Sequence, residues 1–233
     1  MHAVYVRAVA DGWIPNGVNP CQVKGAQNAS TGVSIYTPTL DEVSHISESI
    51  DPIYKTMVLV TAYAALRFGE VTALQRKHFI LETIEGKDRY RIDIRQAVTY
   101  VDGKFILGTP KNPKGINSVL ISSGLAHLFN EHLDSLKDQS ENALVFSKDG
   151  QSYIRNDLFA KALKKAVRKA GLSGKAITPH SLRRAGGTAY SNQGANLNEV
   201  KDFLRDSSTE AVLRYIKPTG RTEALAEGMK YQK

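Results

Sequence analysis

Four residues in this chain have the types and spacing to bind a phosphate group and attack it. His180 and Arg183 lie three positions apart in His180-Ser181-Leu182-Arg183-Arg184, so on a helix they would share one face and point at one anion. Arg67, in Leu66-Arg67-Phe68-Gly69-Glu70, would supply a second guanidinium, and Tyr215 a phenol. Glu70 is expected to hold Arg67 or the helix start. The set fits the cleavage of a phosphodiester.

Each of these side chains matches one requirement of phosphoryl transfer. The planar fork of arginine holds two phosphate oxygens at once and stays charged, so Arg67 and Arg183 would clamp one phosphate. His180 could donate a hydrogen bond or shuttle a proton. Attack by Tyr215 would form a covalent phosphotyrosine, which stores the bond energy so that rejoining needs no ATP. Taken singly, an Arg67–Glu70 ion pair and a packed Tyr215 are the simpler alternatives.

A lysine could protonate the leaving oxygen. Two candidates, Lys111 and Lys114, lie in Thr109-Pro110-Lys111-Asn112-Pro113-Lys114-Gly115, a turn between two predicted strands. Lys111 is the preferred general acid, and Lys114 is the alternative.

The elements that must position these residues are mostly helical. Capping signals at Thr39-Leu40-Asp41-Glu42 and Asp51-Pro52 open two helices, and later helices are predicted after Asn156 and over 179–192, 197–204 and 208–215. Apolar residues alternating with charged ones at 89–95 predict a strand. Further strands fit 97–101, 104–107 and 116–121, with Asp102-Gly103 as a hairpin turn. The expected fold class is mainly α with a small three-stranded antiparallel β-sheet (α+β), whose hairpin carries Lys111.

The positive charge of the chain is concentrated in one stretch. The formal net charge is +8, yet between Gln151 and Tyr190 nine Lys or Arg accompany one acid, Asp157, and the remainder holds 22 bases and 22 acids. A localised basic surface is typical of a protein that binds a polyanion, although a solvated lysine-rich helix face is the alternative. The predicted DNA-binding residues are Lys114, Arg155, Lys161, Lys164, Lys165, Arg168, Lys169 and Arg184.

Composition excludes several classes of protein. No apolar run reaches the roughly 18 residues of a membrane span, and residues 1–10 do not have the pattern of a signal peptide. The single cysteine, Cys21, excludes an internal disulfide and a cysteine zinc cluster, and the histidines show no metal-ligand spacing. We therefore expect no metal site, no membrane partner and a cytoplasmic location.

In this order the motifs resemble those of the tyrosine recombinases, or phage-type integrases. Residues 66–70 are similar to their first arginine box, 178–184 to their His-x-x-Arg box, Leu213-Arg214-Tyr215 to their nucleophile box, and Lys111 to their hairpin lysine. The resemblance covers roughly residues 39–220. It implies catalytic roles for Arg67, Lys111, His180, Arg183 and Tyr215. The implied activity is site-specific DNA recombination through a 3′-phosphotyrosyl intermediate, without a metal or nucleotide cofactor.

The resemblance also implies partners and a domain organisation. Double-stranded DNA is the expected substrate, bound by a homotetramer that is a monomer without DNA and can require a DNA-bending accessory protein, in a bacterial or phage-infected cell. Residues 1–38 are expected to be a lead-in helix and linker that end a missing N-terminal DNA-binding domain. Residues 39–220 would form the catalytic domain, and 221–233 a tail that docks on a neighbouring subunit.

One position departs from the family pattern. A His or Trp usually lies nine residues before the tyrosine, within a Leu-Gly-His-like box, but Leu204-Arg205-Asp206-Ser207 places Asp206 there. A carboxylate only accepts hydrogen bonds and repels phosphate. Either Asp206 turns away and Arg205 or Ser207 substitutes, or it orients Arg183, or activity is reduced. A DNA-binding relative without catalysis is therefore one alternative. A type IB topoisomerase and a transposon or Xer-like recombinase are others.

Overall fold

The computed structural model of the chain describes residues 2–15, 36–109, 118–206, 208–213 and 215. The chain divides into two compact units, Met1–Ser34 and Ile35–Lys233. In the first unit the described part is one helix, α1 (His2–Ala10), and the turn after it. An ion pair of 2.7 Å between Arg7 and Asp11 joins positions i and i+4 across the end of α1.

The second unit is mainly helical within the described ranges, which confirms the predicted fold class. Its helices are α2 (Leu40–Ser49), α3 (Pro52–Tyr63), α4 (Phe68–Thr72), α5 (Ala126–Asp134), α6 (Asn156–Lys169), α7 (Pro179–Asn192), α8 (Leu197–Leu204) and α9 (Thr209–Leu213). Its strands are β1 (Phe79–Ile84), β2 (Lys87–Asp93), β3 (Ala97–Val101), β4 (Lys104–Gly108) and β5 (Ser118–Leu120). No helix in the described part of the chain is long and apolar enough to cross a membrane.

The capping signals in the sequence begin α2 and α3 as predicted. The Thr39 hydroxyl accepts a hydrogen bond from the backbone N–H of Glu42 at 3.2 Å, and the Glu42 carboxylate accepts one from the N–H of Thr39 at 3.0 Å. The Asp51 carboxylate caps α3, and Pro52 stands at its first position. Both caps satisfy backbone donors that a helix start would otherwise leave unpaired.

Helix α3 is the centre of the core. It is buried continuously from Thr56 to Ala62, and α2 and α7 pack against it, as expected for a helix that is apolar on nearly all sides. It ends at Tyr63, and two residues later Ala65 takes a left-handed conformation with φ 46°. Arg67 follows directly after this turn.

Two small antiparallel sheets interrupt the helices. Strands β1, β2 and β5 pair in the order β1-β2-β5, and Tyr90, Ile92 and Ile94 are buried on one face, as their alternation predicts. Strands β3 and β4 form a separate sheet. The predicted turn joins them, with positive φ at both Asp102 (49°) and Gly103 (79°). That combination is a type I′ turn, which matches the twist of a two-stranded hairpin.

The membership of the three-stranded sheet differs from the prediction. We expected a hairpin between 104–107 and 116–121 to carry Lys111, but β4 pairs with β3, whereas β5 pairs with the free edge of β2. The tight turn makes β3 the local partner of β4. The third strand is β1. It begins with three consecutive apolar residues, Phe79-Ile80-Leu81, so its sequence does not show the alternation of apolar and polar residues that indicates a strand. Lys111 and Lys114 lie outside the described residues.

Two adjacent glycines allow α7 to approach its neighbours closely. A Cβ added at Gly186 would lie 1.9 Å from the carbonyl oxygen of Ala62 in α3. A Cβ added at Gly187 would lie 2.7 Å from Cδ1 of Tyr215 and 2.9 Å from Cδ2 of Leu204. Atoms cannot approach so closely, so these contacts require residues without a side chain. The glycine pair therefore seats α7 against both α3 and Tyr215.

Candidate active site

A cleft of about 290 Å³ lies where the start of α4 meets the start of α7. Its lining residues are Leu66, Arg67, Phe68, Asn156, Thr178, Pro179, His180 and Arg183. Three of the five residues predicted to be catalytic thus share one cavity, although they come from distant segments of the chain.

Arg67 is held in place from several sides and still reaches the cleft. It precedes α4, where its backbone N–H donates to Glu70 Oε2 at 2.9 Å and its Nη1 donates to Glu70 Oε1 at 2.9 Å. Its Nη2 donates to the carbonyl oxygen of Arg205 at 3.1 Å. The side chain remains 28% exposed and lines the cleft, so an anion bound there would meet it. Glu70 therefore holds both Arg67 and the start of α4, as expected.

The start of α7 presents His180 and Arg183 on one helical face. Thr178 caps the helix by accepting from the backbone N–H of Ser181 at 3.2 Å, and Pro179 stands at the first position. Backbone N–H groups at a helix start carry partial positive charge and favour anions. The helix start therefore adds to the charge of Arg183 at the cleft.

Arg183 is almost fully buried, with 2% of its surface exposed. Its Nη1 donates to the carbonyl oxygen of Ala65 at 2.5 Å and lies 3.9 Å from Glu70 Oε2, and its Nη2 donates to the carbonyl oxygen of Leu204. Burial and the nearby Arg67 lower the pKa of Arg183, whereas Glu70 and the hydroxyl of Tyr215 act in the opposite direction. Arg183 is thus the link between the α3–α4 turn, the end of α8 and Tyr215.

The charges around Glu70 leave the site positive. Burial alone would raise the pKa of Glu70, but the guanidinium of Arg205, the N–H of Arg67 and then the guanidinium of Arg183 hold it below its ordinary value. Glu70 is therefore ionised at neutral pH. Among the described residues, the three guanidinium groups of residues 67, 183 and 205 lie close to the two carboxylates of residues 70 and 206, and this excess of positive charge favours an incoming anion.

His180 is exposed at the cleft and uncharged at neutral pH. Partial removal of water from its ring lowers its pKa, and the positive charges of Arg183, Arg184 and Arg67 lower it further. A neutral imidazole can donate through one ring nitrogen and accept through the other. This protonation state suits a hydrogen bond to a phosphate oxygen or the relay of a proton.

Tyr215 lies beside Arg183 in a small apolar cluster. The cluster consists of Ala65, Val200, Leu204, Val212 and Tyr215, and the tyrosine is 6% exposed. Helix α9 ends at Leu213, short of the predicted 215, and the backbone N–H of Tyr215 donates to the carbonyl oxygen of Val212 at 2.9 Å. The structure therefore brings the proposed nucleophile to one of the two proposed phosphate clamps.

Asp206 faces Arg67, not Arg183. Its Oδ2 lies 3.5 Å from Arg67 Nη2, and among the described residues it forms no ion pair with Arg183. The Arg205 side chain is buried, donates to backbone carbonyl oxygens and does not line the cleft, so the geometry does not favour Arg205 as the substitute. Ser207 lies outside the described residues.

The sequence did not single out Asn156 as part of the site, and it named Arg205 only as a possible substitute for Asp206. Asn156 lines the cleft at the start of α6, and Arg205 contacts Glu70 from the end of α8 at 3.5 Å. One signal for Arg205 was available, since it stands at the helix end where the family pattern has glycine. An asparagine at a helix start is too common to indicate a site.

The predicted DNA-binding residues divide into two groups. Five exposed side chains lie on α6: Lys161, Lys164, Lys165, Arg168 and Lys169. Within the described ranges none of these five forms an ion pair. Arg155 is exposed but pairs with Asp157 at 3.0 Å and stacks over the ring of Tyr100. Arg184 is half-buried on α7 and acts on His180 through its charge.

A metal site is not evident in the described part of the chain. No group of three or more His, Cys, Asp or Glu side chains there could hold an ion. His132 is instead stacked on Phe146, and its Nε2 lies 3.0 Å from the carbonyl oxygen of Val145. His78 is buried, and its Nδ1 accepts from the N–H of Gln75 at 3.0 Å. These two histidines have structural roles.

Solved structures of known proteins share this fold. The Tn1549 transposon integrase (residues 82–397), solved with transposon right-end DNA, matches with a TM-score of 0.72 at 18% identity, over 97% of this chain and 75% of that one. XerH site-specific recombinase bound to palindromic difH substrate matches with a TM-score of 0.59 at 18% identity, over 87% of this chain and 55% of that one.

Comparison of the sequence with those of known proteins identifies integrases as relatives. The prophage phiRv2 integrase of Mycobacterium tuberculosis is 30% identical over 92% of this chain and 55% of its own length. The integrase of Mycobacterium phage L5 is 26% identical over 98% of this chain and 60% of its own length. This chain thus spans little more than half of these relatives. The profile of the phage integrase family matches residues 38–221, so the resemblance inferred from the motifs is confirmed and the chain belongs to the phage integrase family.

Proposed function

We propose that this chain is the catalytic part of a tyrosine-type site-specific DNA recombinase. The observation that carries the proposal is the convergence of Arg67, His180 and Arg183 on one cleft, with Tyr215 against Arg183. Family membership supports the reaction class. We assign the catalytic unit to residues 39–220.

The proposed reaction is a transesterification at one DNA phosphate. The Tyr215 oxygen attacks the phosphorus, a tyrosyl O–P bond forms, and the P–O5′ bond breaks. The phenol proton passes to solvent as the bond forms, and the 5′ oxygen takes up a proton from the general acid, for which Lys111 remains our proposal. Arg67 and Arg183 stabilise the charge on the non-bridging oxygens, and His180 hydrogen-bonds one of them. Attack by a 5′ hydroxyl on the phosphotyrosine reverses the steps and rejoins the strand.

Covalent trapping tests this proposal. The chain is incubated at low salt with labelled nicked duplexes from a flanking attachment region and then resolved on denaturing gels. We expect a labelled band that survives denaturation and disappears on protease digestion. A salt-sensitive mobility shift without any covalent band would favour the DNA-binding relative instead, and relaxation of supercoiled DNA without pairing of sites would favour a type IB topoisomerase.

The exposed α6 face is the proposed DNA-binding surface, with contacts mainly to backbone phosphates. We expect the triple change Lys164→Gln, Lys165→Gln and Arg168→Gln to weaken DNA binding and to flatten its salt dependence. The slope should fall by about 0.9 for each DNA phosphate that the variant no longer neutralises. Fluorescence anisotropy between about 50 and 200 mM salt would measure this slope.

A matched triple controls for the removal of charge alone. Lys87→Gln, Lys137→Gln and Lys148→Gln remove the same charge from exposed positions elsewhere. Equal slopes for the two triples would contradict a specific role for α6.

Asp206 competes with DNA for Arg67 in this proposal. The phosphate must replace a carboxylate that lies 3.5 Å from Arg67 Nη2, and histidine would remove the competing charge and add a donor. We therefore expect Asp206→His to keep or raise the rate of adduct formation, measured as the initial rate with nicked duplex. Asp202→His, on exposed α8 surface, is the control. A large loss of adduct in a folded Asp206→His protein would refute this role.

The remaining assignments concern partners and domains. We propose double-stranded DNA as the substrate, a homotetramer on DNA assisted by a DNA-bending protein, and residues 221–233 as the segment that docks between subunits. Lys114 and Arg155 are further proposed DNA contacts, together with Lys161, Lys169 and Arg184. We place the protein with the DNA of a bacterial or phage-infected cell, in the cytoplasm.

A further inference from the structure

Arg205 has a backbone conformation that its residue type disfavours. It ends α8 in the left-handed region, with φ 49° and ψ 45°, and its N–H donates to the carbonyl oxygens of Asp202 and Lys201. Glycine adopts this conformation without steric cost, whereas a Cβ is crowded there. A long charged side chain at such a position calls for a compensating interaction.

Hydrogen bonds that the Arg205 side chain makes in the protein interior provide this compensation. Arg205 is 7% exposed, and its Nη1 donates to the carbonyl oxygen of Phe203 at 2.9 Å. Its Nη2 donates to the carbonyl oxygens of Ala64 at 3.2 Å and Ala65 at 2.8 Å. The bond to Phe203 lies within the end of α8, and the bonds to Ala64 and Ala65 connect that end to the turn that follows α3. Because a buried guanidinium is costly without such partners, the side chain fixes these two segments to each other.

Both segments hold the proposed phosphate clamps. The carbonyl oxygen of Ala65 accepts from Arg205 and from Arg183 Nη1, and Ala65 is itself left-handed. The carbonyl oxygen of Arg205 accepts from Arg67 Nη2 at 3.1 Å. Arg205 Nη2 also lies 3.5 Å from Glu70 Oε2, on the carboxylate that pairs with Arg67.

We propose that Arg205 is a positioning residue, which sets the spacing of Arg67 and Arg183 by fixing the 64–67 turn to the end of α8. The inference rests on the proposed function, because it concerns the geometry of that reaction. Arg205 acts through the two other arginines and does not contact the DNA.

Single-turnover cleavage of a saturating nicked duplex separates positioning from folding. We expect Arg205→Gly to lower the rate constant roughly 100-fold, the scale of a misplacement of about 1 Å, while most molecules still react and DNA affinity stays within about threefold. Loss of folded protein alone would instead lower the amplitude and leave the rate constant unchanged. We expect Arg205→Lys to recover about a tenth of the wild-type rate constant, because lysine keeps the charge without the planar fork.

Glu85→Gly is the matched control. Glu85 is also left-handed, with φ 52°, and lies in the exposed turn between β1 and β2, so this change relieves the same backbone strain far from the cleft. We expect its rate constant to equal that of the wild type. A rate constant for Arg205→Gly within threefold of wild type, or a fall in amplitude only, would overturn the positioning role alone. No adduct with the unchanged protein would overturn the proposed function and this inference with it.

Discussion

Tyr215→Phe is expected to remove the covalent DNA adduct completely, a loss of roughly 10⁴-fold or more in cleavage rate, the scale seen when a catalytic nucleophile is deleted. Only the hydroxyl is removed, and the ring can keep its packing against Gly187, Leu204 and Val212. The protein should therefore fold and bind DNA as before. Denaturing gels with nicked duplex measure the adduct, and anisotropy measures the binding.

Tyr190→Phe serves as the control for removal of a tyrosine hydroxyl. Tyr190 stacks on Phe203 with ring centroids 4.3 Å apart and is 39% exposed, so we expect full adduct formation. An adduct that persists in Tyr215→Phe would assign the nucleophile to another residue and would break the proposed mechanism at its first step.

Arg183→Lys should lower single-turnover cleavage by roughly 10³-fold, which is the scale of removing an arginine that stabilises a phosphoryl-transfer transition state. Lysine keeps the charge that faces Glu70, but it lacks the planar fork that donates to the carbonyl oxygens of Ala65 and Leu204 and that we propose stabilises the phosphate. We expect DNA affinity within about fivefold of wild type, because one phosphate contact contributes little to a many-contact interface.

Arg76→Lys tests the same change away from the site. Arg76 Nη1 donates to the carbonyl oxygen of Leu133 at 2.8 Å, so this change also removes a guanidinium group that donates to a backbone carbonyl. Its cleavage rate should be unaffected. Cleavage by Arg183→Lys within fivefold of wild type would mean that Arg183 serves the fold only.

The sequence allowed prediction of elements whose signals are local. Thr39 and Asp51 marked helix starts through caps that each depend on neighbouring residues, and Asp102-Gly103 marked a hairpin turn. Pairing of β5 with β2 is a contact between distant segments, which no local signal specifies. The same limit explains why β1 was missed and why the hairpin was placed at 104–121.

The candidate site divides in the same way. Arg67, His180, Arg183 and Tyr215 were found because their types match one reaction and occur in a family-like order. The role of Arg205 could not be predicted in this way, since a basic residue at a helix end usually faces solvent and favours the helix dipole. Its burial depends on Ala64, Ala65 and Glu70, which are far away in the sequence.

The glycine pair in α7 has a consequence for engineering the protein. Because Gly186 lies against the main chain of α3 and Gly187 against the ring of Tyr215, a side chain at either position would push the proposed phosphate-binding helix away from α3 or from the proposed nucleophile. Changes that alter DNA affinity and its salt dependence can therefore be concentrated on the exposed face of α6, where side chains do not support this packing. A variant library should keep positions 186 and 187 constant and diversify the α6 face freely.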